Sequence, residues 1–160
     1  MRELALKKFW EERDAKFGEL GGAQCVESFA DAESEYKAIR NSAGLCDFSF
    51  MRIVEFPESD GIDYLDTALA ANILKLRYGR IIDTFLCDEN GKITAEVFVA
   101  NIDDKVFAFT ESLTDSAEIL GKGGNAKDAT KDYAIFSVDG PKAWEVARDI
   151  FGSDIFNLQY

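Results

Sequence analysis

Apolar residues recur along this chain at two spacings, which predict a mixture of helices and strands. Spacing of three to four residues predicts amphipathic helices over 3–18, 32–42 and 60–70, with two more after Ser112 and Pro141. Runs rich in aromatic and β-branched residues predict strands over 50–56, 80–87, 92–100, 105–110 and 133–138. In addition, Gly44 stands where a left-handed cap could close the second helix.

The clearest local prediction is a hairpin around "DENGKITAEVFV". The pair Asn90–Gly91 favours a tight turn between strands 80–87 and 92–100. Strand side chains alternate between faces, so the core face is expected to carry Ile93, Ala95, Val97 and Val99. The other face then carries Thr94, Glu96 and Phe98. The pattern alone leaves open whether Glu96 is solvated or lines a cavity.

The order of the elements predicts the fold class. Between residues 50 and 138 the chain runs strand, helix, three consecutive strands, helix, strand. Hairpin-linked strands between helices are typical of an α+β fold with a mostly antiparallel sheet. The 160 residues are enough for one domain with its own core.

The charge balance excludes several functions. A net charge of -12 argues against binding nucleic acid or an anionic membrane. The chain has no histidine, which removes the usual general base and most transition-metal sites, so no metal is expected. Acid–base chemistry then depends on Asp, Glu, Lys, Tyr or Cys, or on the substrate.

The cysteines and the first residues indicate a cellular compartment. Cys25, Cys46 and Cys87 are an odd set without metal-site spacing, which predicts reduced and mostly buried thiols. The first twenty residues are charged throughout and contain no long apolar run. Together these features predict a cytoplasmic protein.

Three segments resemble one known family in order and spacing. The first ends in Gly44, Leu45, Asp47, Ser49 and Met51, within "AGLCDFSFM". The second is the hairpin "DENGKITAEVFV", and the third is "FSVDGPKAWEVARDIFG". These segments resemble the aminomethyltransferase (glycine-cleavage T-protein) and folate-binding demethylase family. The resemblance covers residues 18–152.

The resemblance implies a tetrahydrofolate site. Such a protein moves a one-carbon unit from a methylated or aminomethylated donor to the folate. Glu96 occupies the position of the family's catalytic carboxylate, where it would stabilise developing positive charge. Met51 matches a methionine that packs on the cofactor. Asp83 stands in place of a folate-contacting tyrosine, and Thr110 or Glu111 stands in place of an asparagine.

The resemblance also implies an organisation into lobes. Residues 1–49 and 131–160 would form a first lobe, and 50–130 a ferredoxin-like second lobe packed against helices. Family members continue beyond the position of Tyr160. The resemblance leaves several explanations open: a partner chain that supplies the later half, a homo-oligomer, a shortened form of a longer protein, or a degenerate family member.

The alternative is a non-catalytic folate-binding or regulatory and assembly module. This alternative is supported by Phe50, which stands where the family has a histidine.

Overall fold

The computed structural model describes residues 2–111 and 120–152, which form a mixed α/β fold. The helices are α1 (Lys7–Glu11), α2 (Ala32–Asn41), α3 (Glu58–Ala68) and α4 (Ala143–Phe151), with a 3₁₀ turn at Ile73–Lys75. The strands are β1 (Lys16–Leu20), β2 (Ala23–Ser28), β3 (Gly44–Asp47), β4 (Arg52–Pro57), β5 (Arg80–Cys87), β6 (Ile93–Ile102), β7 (Lys105–Thr110), β8 (Lys127–Asp128) and β9 (Phe136–Asp139).

A five-stranded antiparallel sheet with the order β5-β6-β7-β4-β8 forms the larger part of the structure. Helix α3 and the 3₁₀ turn cover one of its faces. The apolar core between them is built from Val54, Phe56, Leu65, Leu69, Ile73, Leu76, Leu86, Val97, Val99, Val106, Ala108 and Leu120. Antiparallel pairing of consecutive strands confirms the predicted α+β class.

Two smaller antiparallel sheets lie in the other part of the structure. Strand β1 pairs with β2, and β3 pairs with β9 although almost ninety residues separate them in sequence. Gly44 lies opposite Asp139, and Asp47 opposite Phe136. The strands therefore group in the same way as the predicted lobes, while the lobe division itself stays a prediction.

The predicted helix over residues 3–18 is wrong for most of its length. Only Lys7–Glu11 are helical, and Trp10 is the buried anchor of that turn. Asp14 then adopts φ +58°, a left-handed conformation that ends the helix and turns the chain into β1. The apolar residues that looked like a continued helical stripe, Phe17 and Leu20, belong to that strand.

Gly44 does not cap α2. Ser42 closes that helix, and Gly44 begins β3, where a Cβ would lie 2.6 Å from Cγ1 of Ile39. The glycine is needed for close packing against the helix rather than for a left-handed turn.

The other predicted elements are confirmed to different degrees. Strands 80–87 and 105–110 are confirmed at both ends, and helices 32–42 and 60–70 and strands 50–56 and 92–100 to within two residues. Strand 133–138 is found at Phe136–Asp139, and the helix after Pro141 at Ala143–Phe151. The helix after Ser112 lies outside the described residues, except for its last residue.

The thiols are unpaired, but the prediction that they are buried is wrong for Cys87. Cys25 and Cys46 are half-buried, and Cys87 is exposed at the end of β5. In the described part of the chain, no helix is long and apolar enough to cross a membrane.

Candidate functional site

The turn between β5 and β6 confirms the predicted hairpin. Gly91 adopts φ +78°, which a residue with a side chain rarely does. The carboxylate of Asp88 accepts hydrogen bonds from the backbone N–H groups of Asn90 and Lys92, both at 2.9 Å. These hydrogen bonds close the turn that joins the two strands.

A β-bulge next to this turn determines which way Glu96 faces. Cys87 lies opposite Ile93, but Leu86 lies opposite Ala95, so Thr94 is the extra residue on β6. The hydroxyl of Thr94 donates to the Leu86 carbonyl at 3.1 Å. The bulge breaks the alternation of side chains after Ile93, which is 56% exposed. The prediction that Ile93 is a core residue is therefore wrong.

Beyond the bulge, strands β5 and β6 present an exposed surface on the side away from α3. Phe85 lies directly opposite Glu96, Asp83 opposite Phe98, and Ile81 opposite Ala100. Opposite residues of an antiparallel pair share a face. Four side chains of this surface are exposed, and we call them the open patch: Ile81, Asp83, Phe85 and Glu96.

Glu96 lies on this open patch and not in an enclosed cavity. Two cavities of about 510 and 420 Å³ in the described part of the chain are lined by other residues. The described residues alone therefore do not enclose Glu96, and its place in a cofactor cavity stays a prediction. Its carboxylate and that of Asp83 occupy neighbouring strands, next to the exposed apolar side chains of Ile81 and Phe85.

Met51 lies at the border of the open patch. It is buried with Ala23 and Phe50, and Phe98 packs against this cluster. Because Phe98 follows Glu96 by two residues on β6, it shares the face of the carboxylate. The structure therefore brings Met51 to the side of the sheet that carries Glu96 and Asp83.

Sequence reasoning missed the residue that holds the backbone of Met51. The guanidinium of Arg2 donates to the carbonyl of Phe50 and, at 3.0 Å, to that of Met51. Burial lowers the pKa of Arg2, and the nearby charge of Arg52 lowers it further. No local pattern connects an N-terminal arginine with residue 51, because this contact depends on tertiary packing.

Thr110 and Glu111 are placed differently from each other. Thr110 is fully buried opposite Val97, so its side chain lies on the face away from Glu96. Its hydroxyl is within donating distance of the backbone carbonyls of Glu96, at 3.1 Å, and Glu111, at 3.3 Å. Thr110 therefore does not share the open face of the sheet with Glu96, and its predicted cofactor contact stays a prediction. Glu111 is exposed and continues β7 at the level of Glu96.

The fold and sequence of this chain are similar to those of known aminomethyltransferases. The crystal structure of the glycine cleavage system aminomethyltransferase T from Bartonella henselae superimposes with a TM-score of 0.74 at 21% identity, covering 92% of this chain and 43% of that one. An aminomethyltransferase from Saccharopolyspora erythraea is 23% identical, over 99% of this chain and 46% of its own length. A probable aminomethyltransferase from Pyrococcus abyssi is 29% identical, over 96% of this chain and 42% of its own length.

The fold is therefore that of the first part of an aminomethyltransferase T. The family described as GCVT N-terminal domain matches residues 6–159, and the chain belongs to that family. It spans less than half the length of these relatives.

Proposed function

We propose that this chain is the folate-facing part of a tetrahydrofolate-dependent one-carbon transferase that accepts an aminomethyl or methyl group. Family membership over residues 6–159 supports the reaction class. The observation that carries the proposal is the open patch, where Glu96 lies between apolar side chains on a surface that the described residues leave uncovered. Further chain is required to enclose it.

The open patch suits a flat heterocycle with a cationic reacting centre. Phe85 and Phe98 flank Glu96 across and along the strands, and Met51 closes one border. Apolar and aromatic side chains would bind the faces of a pterin ring.

Glu96 would stabilise positive charge that develops as the one-carbon unit leaves its donor amine. Such a carboxylate contributes several kcal/mol only where water is excluded, because a high dielectric weakens the interaction. This requirement explains why covering the patch would be essential for catalysis.

Asp83 and Glu111 extend the negative charge around Glu96. Both are exposed: Asp83 lies on β5, and Glu111 directly follows the end of β7. Their charge favours a donor that carries a protonated amine over an anionic donor.

Anaerobic calorimetric titration with tetrahydrofolate tests the proposal. The chain is titrated alone and mixed with the later portion of the Pyrococcus abyssi relative. We expect saturable heat in the mixture and about tenfold weaker binding for Glu96→Gln, since a hydrogen bond from a pterin N–H to a charged acceptor is worth about 1.5 kcal/mol.

The matched control is Glu89→Gln, which removes the same charge from the exposed hairpin turn and should leave the affinity unchanged. Flat heats in both settings, or equal losses in the two variants, would refute the proposal.

An assembly module is the second candidate. The observation that favours it is the exposure of Ile81 and Phe85 on the open patch, since apolar patches commonly mark protein interfaces. In that case the later portion of the relative would bind this chain, while tetrahydrofolate would give no heat.

A further inference from the structure

The cavity of about 420 Å³ lies on the same face of the large sheet as the open patch, but over other strands. Its lining residues include Phe107 and Phe109 of β7 and Ile53 of β4. Phe109 lies opposite Phe98 on one side and opposite Ile53 on the other, so these side chains share the face that carries Glu96. None of the four residues of the open patch lines this cavity, which is therefore a separate feature.

Three aromatic rings form a corner in this cavity. The rings of Phe107 and Phe109 are nearly parallel, with 13° between their planes and 6.2 Å between their centroids. The ring of Tyr133, from the segment that leads into β9, is nearly perpendicular to that of Phe107, at 81° and 5.4 Å. The two phenylalanines thus make a floor and the tyrosine makes a wall. We name Phe107, Phe109 and Tyr133 the aromatic corner.

The wall of the aromatic corner is held by an ion pair. The hydroxyl of Tyr133 donates to Oε2 of Glu55 at 3.3 Å, and Nζ of Lys105 lies 2.9 Å from Oε1 of the same carboxylate. The tyrosine is nevertheless 42% exposed, so part of its ring is accessible. A ring that is both anchored and accessible loses little conformational freedom when a ligand binds.

The charges at this cavity favour a cation. Asp103 and Lys105 are the charged residues of its lining, and Glu55 already balances Lys105. Asp103 is exposed and belongs to no ion pair within residues 2–111 and 120–152. One carboxylate charge beside the aromatic corner is therefore uncompensated, and the net charge of -12 adds a general attraction for cations.

We propose that the aromatic corner, together with Asp103, is a binding site for a small molecule that carries a methylated ammonium group. Such a group spreads its charge over its methyl groups and is attracted to the faces of aromatic rings. The cavity volume of about 420 Å³ lies in the range of pockets that enclose small ligands. The carboxylate of Asp103 would select the cation over a neutral molecule of the same shape.

This proposal goes beyond the proposed function and does not rest on it. It assigns no group transfer to the cavity, and it requires neither folate nor additional chain. Its failure would leave the proposal for Glu96 unaffected, since that carboxylate lies outside the cavity lining.

An NMR titration of the ¹⁵N-labelled chain with choline, without folate, tests the proposal. The matched probe is the neutral carbon analogue of choline, in which a tert-butyl group replaces the trimethylammonium group. We expect choline to give saturable shifts at the amides of Lys105, Phe107, Phe109 and Tyr133. We expect the carbon analogue to bind about tenfold more weakly, because it lacks the charge that the rings and Asp103 attract.

Two variants of the wall separate the ring from its hydroxyl. Tyr133→Leu removes the aromatic face and should weaken choline binding about tenfold, whereas Tyr133→Phe keeps the face and should weaken it less than about threefold. Tyr36→Leu removes an exposed tyrosine on α2, outside the cavity, and should leave the affinity unchanged. The dispersion of the amide spectrum shows whether each variant is folded.

A further variant tests the charge. Asp103 adopts φ +55°, a conformation that asparagine also tolerates, so Asp103→Asn removes the charge with little change to the turn. We expect it to weaken choline binding about threefold and to leave binding of the carbon analogue unchanged.

Several outcomes would overturn the proposal. They are the absence of saturable shifts, equal affinity for choline and its carbon analogue, shifts confined to residues outside the cavity, and an unchanged affinity in folded Tyr133→Leu.

Discussion

At the scale of single residues, Asp47 shows how a short polar motif can be structural. Its carboxylate accepts from the indole N–H of Trp10 and, at 2.8 Å, from the backbone N–H of Ser49. All three residues are buried. Asp47 thus ties α1 to the segment that leads into Met51.

Replacing Asp47 should destabilise the protein measurably. Asp47→Ala leaves two buried donors without an acceptor, and we expect the free energy of unfolding to fall by about 3 kcal/mol. Asp47→Asn keeps one acceptor oxygen and should cost less. Urea denaturation measures both.

Asp63→Ala, an exposed position on α3, is the control for this experiment. A loss below about 0.5 kcal/mol for Asp47→Ala would show that its two contacts contribute little in solution.

At the scale of elements, the start of α2 is stabilised by two carboxylates. Asp31 accepts from the N–H and hydroxyl of Ser34, at 3.0 and 2.7 Å. Glu35 accepts from the N–H groups of Phe29 and Ala30, at 2.7 and 2.9 Å. These hydrogen bonds lower the pKa of Asp31, chiefly through the Ser34 hydroxyl, and that of Glu35, chiefly through the Ala30 amide.

These lowered pKa values predict a loss of stability in acid. A carboxylate with a lower pKa in the folded state stabilises the fold above its unfolded pKa, and that contribution disappears as the pH falls through the folded value. We expect urea midpoints to drop below about pH 4, and less steeply for Glu35→Gln. Glu89→Gln, at an exposed position in the hairpin turn, is the control. Identical pH profiles for Glu35→Gln and the unmodified chain would contradict this account.

The elements that the sequence predicts well are those determined by local patterns. Strand 80–87 and helix 32–42 follow from their own residues and from capping by Asp31. The β1–β2 hairpin, β3 and β8 were missed. Strand β3 is stabilised by pairing with β9, which is distant in sequence, and β8 has only two residues.

Only part of the candidate site could be predicted from the sequence. The resemblance pointed to Glu96, Met51 and Asp83, and the structure brings these three to one side of the sheet. The register could not be derived from the turn alone. Without the bulge at Thr94, the turn would pair Glu96 with Thr84, a buried residue on the core face.

At the scale of the whole molecule, part of one face of the large sheet remains uncovered within the described residues. The open patch on this face carries carboxylates beside apolar side chains. Its exposure is explained if more of the aminomethyltransferase fold covers it.

The most direct test of the central claim is an NMR titration of the ¹⁵N-labelled chain with tetrahydrofolate, in the presence of the unlabelled later portion of a relative. The account predicts that folate shifts the amide resonances of Asp83, Phe85, Glu96 and Phe98, with small changes at the hairpin turn and α2. Shifts confined to other surfaces, or no shifts at saturating folate, would contradict the claim that Glu96 faces the cofactor.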